Sequence, residues 1–167
     1  MAYQMKVDGM SELSELLDKM EQRAPAVAAQ ALYDGAGIMA EEIRKGAESI
    51  RTAPFKYARG GDTRLPSPEE KEIVTAAGAG IAKFDKNGTE VDTSVGFRNS
   101  GYAELKGKMV PIPKIVNAIN SGTSFMNKQP FVRKAAKTAT PKALEAMRKH
   151  IEAEFEAIGK DYKASMK

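Results

Sequence analysis

The sequence predicts one α+β domain, in which a small antiparallel sheet packs against a long N-terminal helix and a C-terminal helix. Apolar side chains recur with a helical period near both ends of the chain. Between those ends lie an alternating segment and an Asn-Gly pair, which is the strongest short-range signal for a β-hairpin. The 167 residues fit a single domain over 1–167 that can bury a sizeable core.

The N-terminal third is predicted to be a short strand followed by two helices. Residues 3–7 alternate weakly and form the strand, and Ser11 can cap the helix that follows. The apolar positions of that helix are Leu13, Leu16, Leu17 and Met20. Pro25 suits a first helical turn, so a second helix is expected from there to Ile50. Its small residues, Gly35 and Gly37 among them, predict close packing on a sheet.

Residues 51–71 break the periodicity and predict a long loop. The part from 51 to 68 contains three prolines, two adjacent glycines and four basic residues. A segment of this length without regular structure is either functional or disordered. We therefore expect it to be mobile or projecting in an isolated subunit and ordered on assembly.

The middle of the chain predicts a hairpin and then a polar loop. Residues 72–84 are interpreted as a strand, Asn87-Gly88 as the turn, and residues 89–97 as the return strand. Gly78-Ala79-Gly80 is expected to mark a bulge and not a phosphate loop. Residues 99–114 are expected to be an irregular loop because of their prolines.

The segment from Val116 to Arg133 predicts a strand, a loop and a helix. Gly122 supplies a turn position with positive φ, and Thr123 can bond the local backbone. Pro130 suits a first helical turn, so Phe131 is expected to begin the next helix and to be buried. Taken on its residues alone, this is also what an ordinary corner of a small α+β domain looks like.

The C-terminal region predicts two consecutive helical segments, 130–139 and 141–163, separated at Pro141. An apolar seam of helical period runs along the second segment at Leu144, Met147, Ile151, Phe155, Ile158 and Tyr162. Side chains in such a seam belong to a core or an interface, not to a cofactor site.

Charge leaves two alternatives open. The net charge is +4, and residues 133–167 hold nine basic and five acidic side chains, which accounts for the whole excess. Such a tail is typical of a solvated helix face. The alternative is a nucleic-acid-binding module that uses the basic loop 51–64 and the C-terminal helix, although the chain has no Trp for a stacking platform.

No catalytic, cofactor-binding or metal-binding set is predicted, so no enzyme is expected. The chain has no cysteine, which excludes disulfides, thiolate metal sites and cysteine nucleophiles. His150, the one histidine, has Glu154 one helical turn away, a spacing that predicts a surface ion pair. The carboxylates of 69–72 and 152–156 are interpreted as solvated helix ends. Neither a membrane-spanning run nor a signal-peptide core is visible, so the chain is expected in the cytoplasm when made.

A motif in the corner resembles that of a known family. Gly122-Thr123-Ser124, a short spacer and then residues 129–135, Gln-Pro-Phe-Val-Arg-Lys-Ala, are similar to the signature of the tail-component proteins of long-tailed phages and prophages. Ala53-Pro54 and residues 61–65 are similar to a stretched form of a second family segment. The family often has an acidic or aromatic residue before Gly-Thr, where this chain has Asn120 and Ser121.

The resemblance implies a structural virion protein, a tail-completion or head–tail joining subunit. Such subunits are small α+β domains that form a ring, expected to be hexameric, at the head-proximal end of the tail tube. The implied partners are other copies of the chain, head connector proteins, and tail tube or tail terminator proteins, with no membrane partner. DNA would pass through the ring without specific binding. The protein would be located in the host bacterial cytoplasm during assembly and then in the virion.

The corner and the preceding loop together give the predicted assembly residues. They are Arg51, Phe55, Tyr57, Arg59, Arg64, Gly122, Thr123, Phe125, Pro130, Phe131 and Arg133. Phe125, on the loop itself, is the residue expected to contact a partner.

Overall fold

Two long helices, paired along their length in opposite directions, form the frame of the molecule. The computed structural model describes residues 10–55, 62–87, 90–97 and 100–165. Helix α1 is Met10–Glu48 and helix α4 is Phe131–Ser165. The shorter elements lie between them in the chain: α2 Pro68–Ala77, β1 Gly80–Ile81, β2 Asp85–Asn87, β3 Glu90–Asp92, β4 Val95–Gly96, β5 Tyr102–Leu105, β6 Lys108–Pro111 and α3 Ile112–Ser121.

Small residues let α1 and α4 approach closely. The alanines at 31, 36 and 47 in α1 and at 135, 139 and 143 in α4 are all buried. A Cβ added at Gly46 would lie 3.3 Å from the backbone oxygen of Phe131. The small-residue stretch was predicted to lie on a sheet, but its main partner is the helix α4, while α1 also contacts β1, β3 and β4.

Both helices run through the prolines that were predicted to divide them. Pro25 lies inside α1 and Pro141 inside α4, so the predicted breaks at these positions are wrong. Each proline is exposed, so the carbonyl that loses its helical N–H partner lies on the solvent side of the helix. The packing of α1 against α4 supports both helices across these positions.

Residues 68–77 form α2, whereas a strand had been predicted from 72. Ser67 caps this helix, and its side chain accepts a hydrogen bond from the Glu70 N–H while the Glu70 carboxylate accepts one from the Ser67 N–H. This capping box is a start signal for a helix. Gly78 ends α2 with a φ of 63°, so it is a helix cap and not a bulge.

Two antiparallel hairpins replace the predicted single hairpin and loop. In the first, β1 pairs with β4 and β2 pairs with β3, which confirms an antiparallel hairpin here, but the strands are much shorter than predicted and Asn87, predicted in the turn, pairs with Glu90 as the last residue of β2. The second pairs β5 with β6, where a loop over 99–114 had been predicted. Its turn is made by Lys106 and Gly107, with φ values of 52° and 73°, as a two-residue primed turn requires.

Helix α3 occupies the place of the strand predicted from Val116. Its residues Ile112, Ile115, Val116 and Ile119 are all buried, at the spacing of one helical face. They pack in one core with Ile43 and Val74, and Phe97 meets Phe131 edge to face with 6.2 Å between ring centroids. The core thus joins α1, α2, α3 and the start of α4 around the corner that follows α3.

Three apolar positions predicted for helix stripes are exposed. Leu13, Leu17 and Leu144 expose 49%, 55% and 59% of their surface, whereas Ile158 and Tyr162 of the predicted seam are buried. The predicted strand over 3–7 lies outside the described residues. None of the described helices is long and apolar enough to cross a membrane.

Candidate functional site

The corner between α3 and α4, residues 122–130, is a tightly bonded turn. Gly122 has a φ of 77°, as predicted, and a Cβ there would lie 3.0 Å from the Cβ of Lys128. The backbones of Thr123 and Met126 exchange two hydrogen bonds, of 3.0 and 3.3 Å. The Thr123 hydroxyl also accepts a hydrogen bond from the Phe125 N–H, so its predicted local bond is confirmed. The corner therefore has little conformational freedom.

The corner is joined to the segment before α2. The Arg64 N–H donates to the Phe125 carbonyl at 2.9 Å, and the Asn127 N–H donates to the Arg64 carbonyl at 2.8 Å. The Thr63 hydroxyl also hydrogen-bonds the Asn127 side chain. These bonds fix the described end of the loop, residues 62–67, to the corner.

Gln129 joins the corner to the end of α1. Its Oε1 accepts from the Arg51 N–H at 2.9 Å, and its Nε2 donates to the Arg51 carbonyl at 2.8 Å. The Gln129 N–H also donates to the Ile119 carbonyl at 2.8 Å. One residue of the motif thus bonds both the chain that leaves α1 and the last turns of α3.

Asn120 has a defined role at the start of α4. Its Oδ1 accepts a hydrogen bond of 3.1 Å from the Val132 N–H, one of the N–H groups that an α-helix leaves without an internal partner. Phe131 begins α4 directly after Pro130 and is only 5% exposed, so both predictions for Phe131 are confirmed. The asparagine before Gly-Thr is therefore a helix cap in this chain.

A buried ion pair lies beneath the corner. The Arg64 guanidinium donates to both oxygens of Glu70 at 2.7 and 2.6 Å, and Glu70 is only 4% exposed. Burial alone raises the pKa of Glu70, but the bonds from Arg64 and Ser67 together lower that pKa below its ordinary value. The prediction that the carboxylates of 69–72 are solvated is wrong for Glu70, and the Ser67-to-Glu70 spacing was the signal for its role.

Phe55 lies between two cations. The Arg64 guanidinium carbon is 4.6 Å from the ring centroid, and the Lys106 Nζ is 3.1 Å from it. Cations over an aromatic face are attracted by the ring quadrupole. Phe55 therefore links the turn of the β5–β6 hairpin to Arg64 and, through Arg64, to the corner.

The predicted mobile loop is tied down in both of its described parts. The Ala53 N–H donates to the Pro66 carbonyl at 3.0 Å, and both Pro66 and Ser67 are buried. Backbone bonds and the Arg64 ion pair contact residues 51–55 and 62–67, and residues 68–71 belong to α2, while the mobility of the segment in an isolated subunit stays a prediction. Tyr57 and Arg59 lie outside the described residues.

Three large apolar side chains, one on the corner and two on the β5–β6 hairpin, are exposed. Phe125 is 48% exposed, while Tyr102 and Met109 on the β5–β6 hairpin are 67% and 66% exposed. Tyr102 pairs with Pro111 and Glu104 pairs with Met109, which places Tyr102 and Met109 on the same face of the hairpin. In the described part of the chain the β5–β6 hairpin is a two-stranded sheet, so both of its outer edges are unpaired.

Basic residues surround the other side of the corner. Arg51, Lys128 and Lys134 line a groove of about 240 Å³ between the end of α1 and the start of α4. Arg133 and Lys137 are exposed on the first turns of α4. Sequence reasoning singled out Arg51 and Arg133 but missed Lys128, Lys134 and Lys137, although no acidic residue occurs between Glu104 and Glu145.

The remaining candidates for chemistry are engaged in packing or ion pairs. His150 bonds Asp34 on α1 at 2.9 Å, so its partner is not the predicted Glu154. Across the ranges that the structure describes, no three His, Cys, Asp or Glu side chains are grouped so that they could hold a metal ion. The exposed residues at the corner are suited to binding the surface of another molecule.

Comparison of the chain with protein-family models, with curated proteins and with solved structures finds no match. The resemblance to phage tail-component proteins therefore rests on the sequence motif at the corner and on the segments 53–54 and 61–65.

Proposed function

We propose that the protein is a structural virion protein, a tail-completion or head–tail joining subunit that assembles into a ring at the head-proximal end of a phage tail. The observation that supports the proposal is the chain of contacts between the corner motif and the β5–β6 hairpin, which exposes apolar side chains. The Arg64 backbone bonds the corner beside Phe125, and its guanidinium faces Phe55, against which the β5–β6 hairpin turn lies. Arg64 and Phe55 thus link the motif to the turn of the hairpin that carries Tyr102 and Met109.

Assembly through this surface would use two kinds of contact. Fully burying a large apolar side chain stabilises a complex by about 1.5–3 kcal/mol, so three such residues can supply several kcal/mol per contact. The unpaired edges of the hairpin can add a strand from a neighbouring subunit. A contact between two different surfaces, repeated about an axis, closes into a ring, which we propose to be hexameric, with head connector and tail tube or tail terminator proteins above and below it.

The alternative function is a nucleic-acid-binding module built on loop 51–64 and the C-terminal helix. One of its main cations, Arg64, is already paired. The Arg64 guanidinium is engaged by Glu70 and is only 13% exposed. Arg148 and Lys149 on the second half of α4 also have carboxylate partners. We therefore place the assembly role first.

The first experiment measures self-association by light scattering as the protein concentration increases from micromolar to near-millimolar. We expect a mostly monomeric protein that becomes a closed ring at high concentration. Tyr102→Ser with Met109→Ser should abolish association, while Leu144→Ser, an exposed apolar residue on α4, should leave it unchanged. A stable two-fold dimer that Leu144→Ser abolishes would overturn the proposed interface.

The second experiment tests location. A tagged copy, produced in the host during phage production, is localised on purified particles by immunogold electron microscopy. We expect the label at the junction of head and tail. Particles that carry no label there would overturn the proposed function.

A further inference from the structure

Charge is distributed very unevenly along this chain. Residues 105–144 hold eight of the 26 basic residues and none of the 22 acidic residues. They form the end of β5, then β6, α3, the corner and the first part of α4. The rest of the chain holds the other 18 basic residues with all 22 acidic ones. This segment of the chain is therefore strongly positive, while the rest of the chain is slightly negative, and Lys142 is the one cation of the segment that pairs with a described carboxylate, Glu42.

At the corner, the end of α1 and the start of α4, five cations are exposed, and we call them the corner cation surface: Arg51, Lys128, Arg133, Lys134 and Lys137. No carboxylate in the described part of the chain pairs with any of the five. Three of them, Arg51, Lys128 and Lys134, line the same groove. Further along α4 the cations are neutralised, since Arg148 bonds Glu152 at 2.7 Å and Lys149 bonds Glu145 at 2.7 Å.

Two of the cations on α4 lie on one face of the helix. Arg133 and Lys137 are four residues apart, which is about 6 Å along the helix axis, so both can contact one polyanion that lies across that face. Phe131 lines the groove with these cations but is only 5% exposed, so the groove offers no platform on which single-stranded bases could stack.

We propose that the corner cation surface binds the phosphate backbone of duplex DNA without reading its sequence. This inference goes beyond the assembly role and does not depend on it. A second copy of the chain is a poorer partner than DNA, because much of its negative charge is already used. On α1, for example, Glu41 and Glu48 both pair with Arg44. A polyanion presents an uninterrupted row of charges that five unpaired cations can match.

The test measures the affinity for a mixed-sequence duplex of about 20 base pairs by fluorescence anisotropy between 50 and 200 mM KCl. If all five cations neutralise phosphates, log K should fall with log salt with a slope of about −4.5, a loss of about 500-fold across this range. The triple variant Arg133→Gln, Lys134→Gln, Lys137→Gln should reduce that slope to about −1.8, a loss of only about 12-fold.

A matched control removes three charges from the same helix where they are already paired: Arg148→Gln, Lys149→Gln, Lys160→Gln. It should keep the full slope, which separates a local surface from an effect of net charge. Circular dichroism melting checks that both triple variants remain folded, as expected of exposed positions.

Three results would overturn the proposal. One is an affinity independent of salt, and another is an equal loss of slope in the two triple variants. The third is binding of polyglutamate as tight as that of the duplex, which would identify an acidic protein as the partner. Because the measurement uses the isolated chain, a negative result here leaves the location of the protein on phage particles to its own experiment.

Discussion

Gln129 satisfies both backbone polar groups of Arg51, accepting from its N–H at 2.9 Å and donating to its carbonyl at 2.8 Å. The two residues are 78 positions apart in the sequence. The Gln129 side-chain amide thus makes the two hydrogen bonds that a neighbouring strand would make to the backbone after α1. The corner, α3 and the end of α1 are therefore held as one unit.

Gln129→Ala should destabilise the fold by about 1–3 kcal/mol, because each of two hydrogen bonds contributes about 0.5–1.5 kcal/mol. Gln30→Ala is the control, since Gln30 makes one exposed bond of 3.3 Å to Asp34 and its loss should cost well under that amount. Urea denaturation measures both variants. Equal losses would contradict the role assigned to Gln129.

Arg64→Ala should destabilise the protein by about 3–5 kcal/mol, because it leaves the buried Glu70 carboxylate without its cation. Arg148→Ala breaks a pair of similar length to Glu152, but the two side chains are 79% and 55% exposed. That loss should be about 0–1 kcal/mol, as for other exposed pairs. A small effect of Arg64→Ala in thermal or urea unfolding would mean that Glu70 finds other partners.

The helices of the frame and the Asn-Gly hairpin were predictable because their signals are local. The capping box from Ser67 to Glu70 is equally local, but these residues were assigned to the loop over 51–71, and the residues after them were interpreted as a strand because they include β-branched Ile73 and Val74. Helix α3 was missed for a similar reason, since its buried face consists of isoleucines and a valine. The β5–β6 turn lacks the Asn or Asp that usually marks such a turn.

In the candidate site too, the features that depend on neighbouring residues were predicted, and the contacts between distant residues were not. The positive φ of Gly122 and the burial of Phe131 follow from short-range patterns, and both were predicted. The pairing of Gln129 with Arg51, and that of Thr63 with Asn127, joins residues far apart in sequence, so only the fold creates them. Arg64 was selected as a surface cation because the Ser67-to-Glu70 spacing marks a helix start but does not show that the Glu70 carboxylate is buried beside Arg64.

The ion pair also predicts a pH dependence. The pKa of Glu70 is lowered from 4.5 in the folded protein, so the unfolded chain binds more protons as the pH falls below that value. Its contribution is fully present above about pH 5 and is lost as the pH falls through the folded pKa. Glu70→Gln should therefore lose less stability between pH 7 and pH 3 than the natural chain does.

Urea unfolding at several pH values measures this difference. The carboxylates of Glu41, Glu42 and Glu145 also have lowered pKa values, but they are present in both proteins, so their effects cancel in the comparison. Parallel curves for the two proteins would mean that Glu70 titrates alike in the folded and unfolded chains.

The two phenylalanines of the corner should respond differently to truncation. Phe131 is 5% exposed and meets Phe97, so Phe131→Ala should cost about 3–5 kcal/mol. Phe125 is 48% exposed, so Phe125→Ala should change the unfolding free energy by less than about 1 kcal/mol but weaken self-association. Equal and large losses of thermal stability would refute this division.

Two glycines of α1 provide a test of how α1 meets α4. At Gly37 an added Cβ meets nothing within 4 Å, so Gly37→Ala should stabilise the helix by about 0.5–1 kcal/mol. At Gly35 the added Cβ would lie 2.7 Å from the Met147 Sδ and 2.8 Å from its Cγ. Met147 must then adopt another rotamer, so Gly35→Ala should gain less stability than Gly37→Ala or lose stability.

Calorimetry measures both glycine variants, because a gain of 1 kcal/mol raises Tm by about 2–4 °C in a chain of this size. If calorimetry finds the same increase for both variants, Met147 does not fill the space above Gly35.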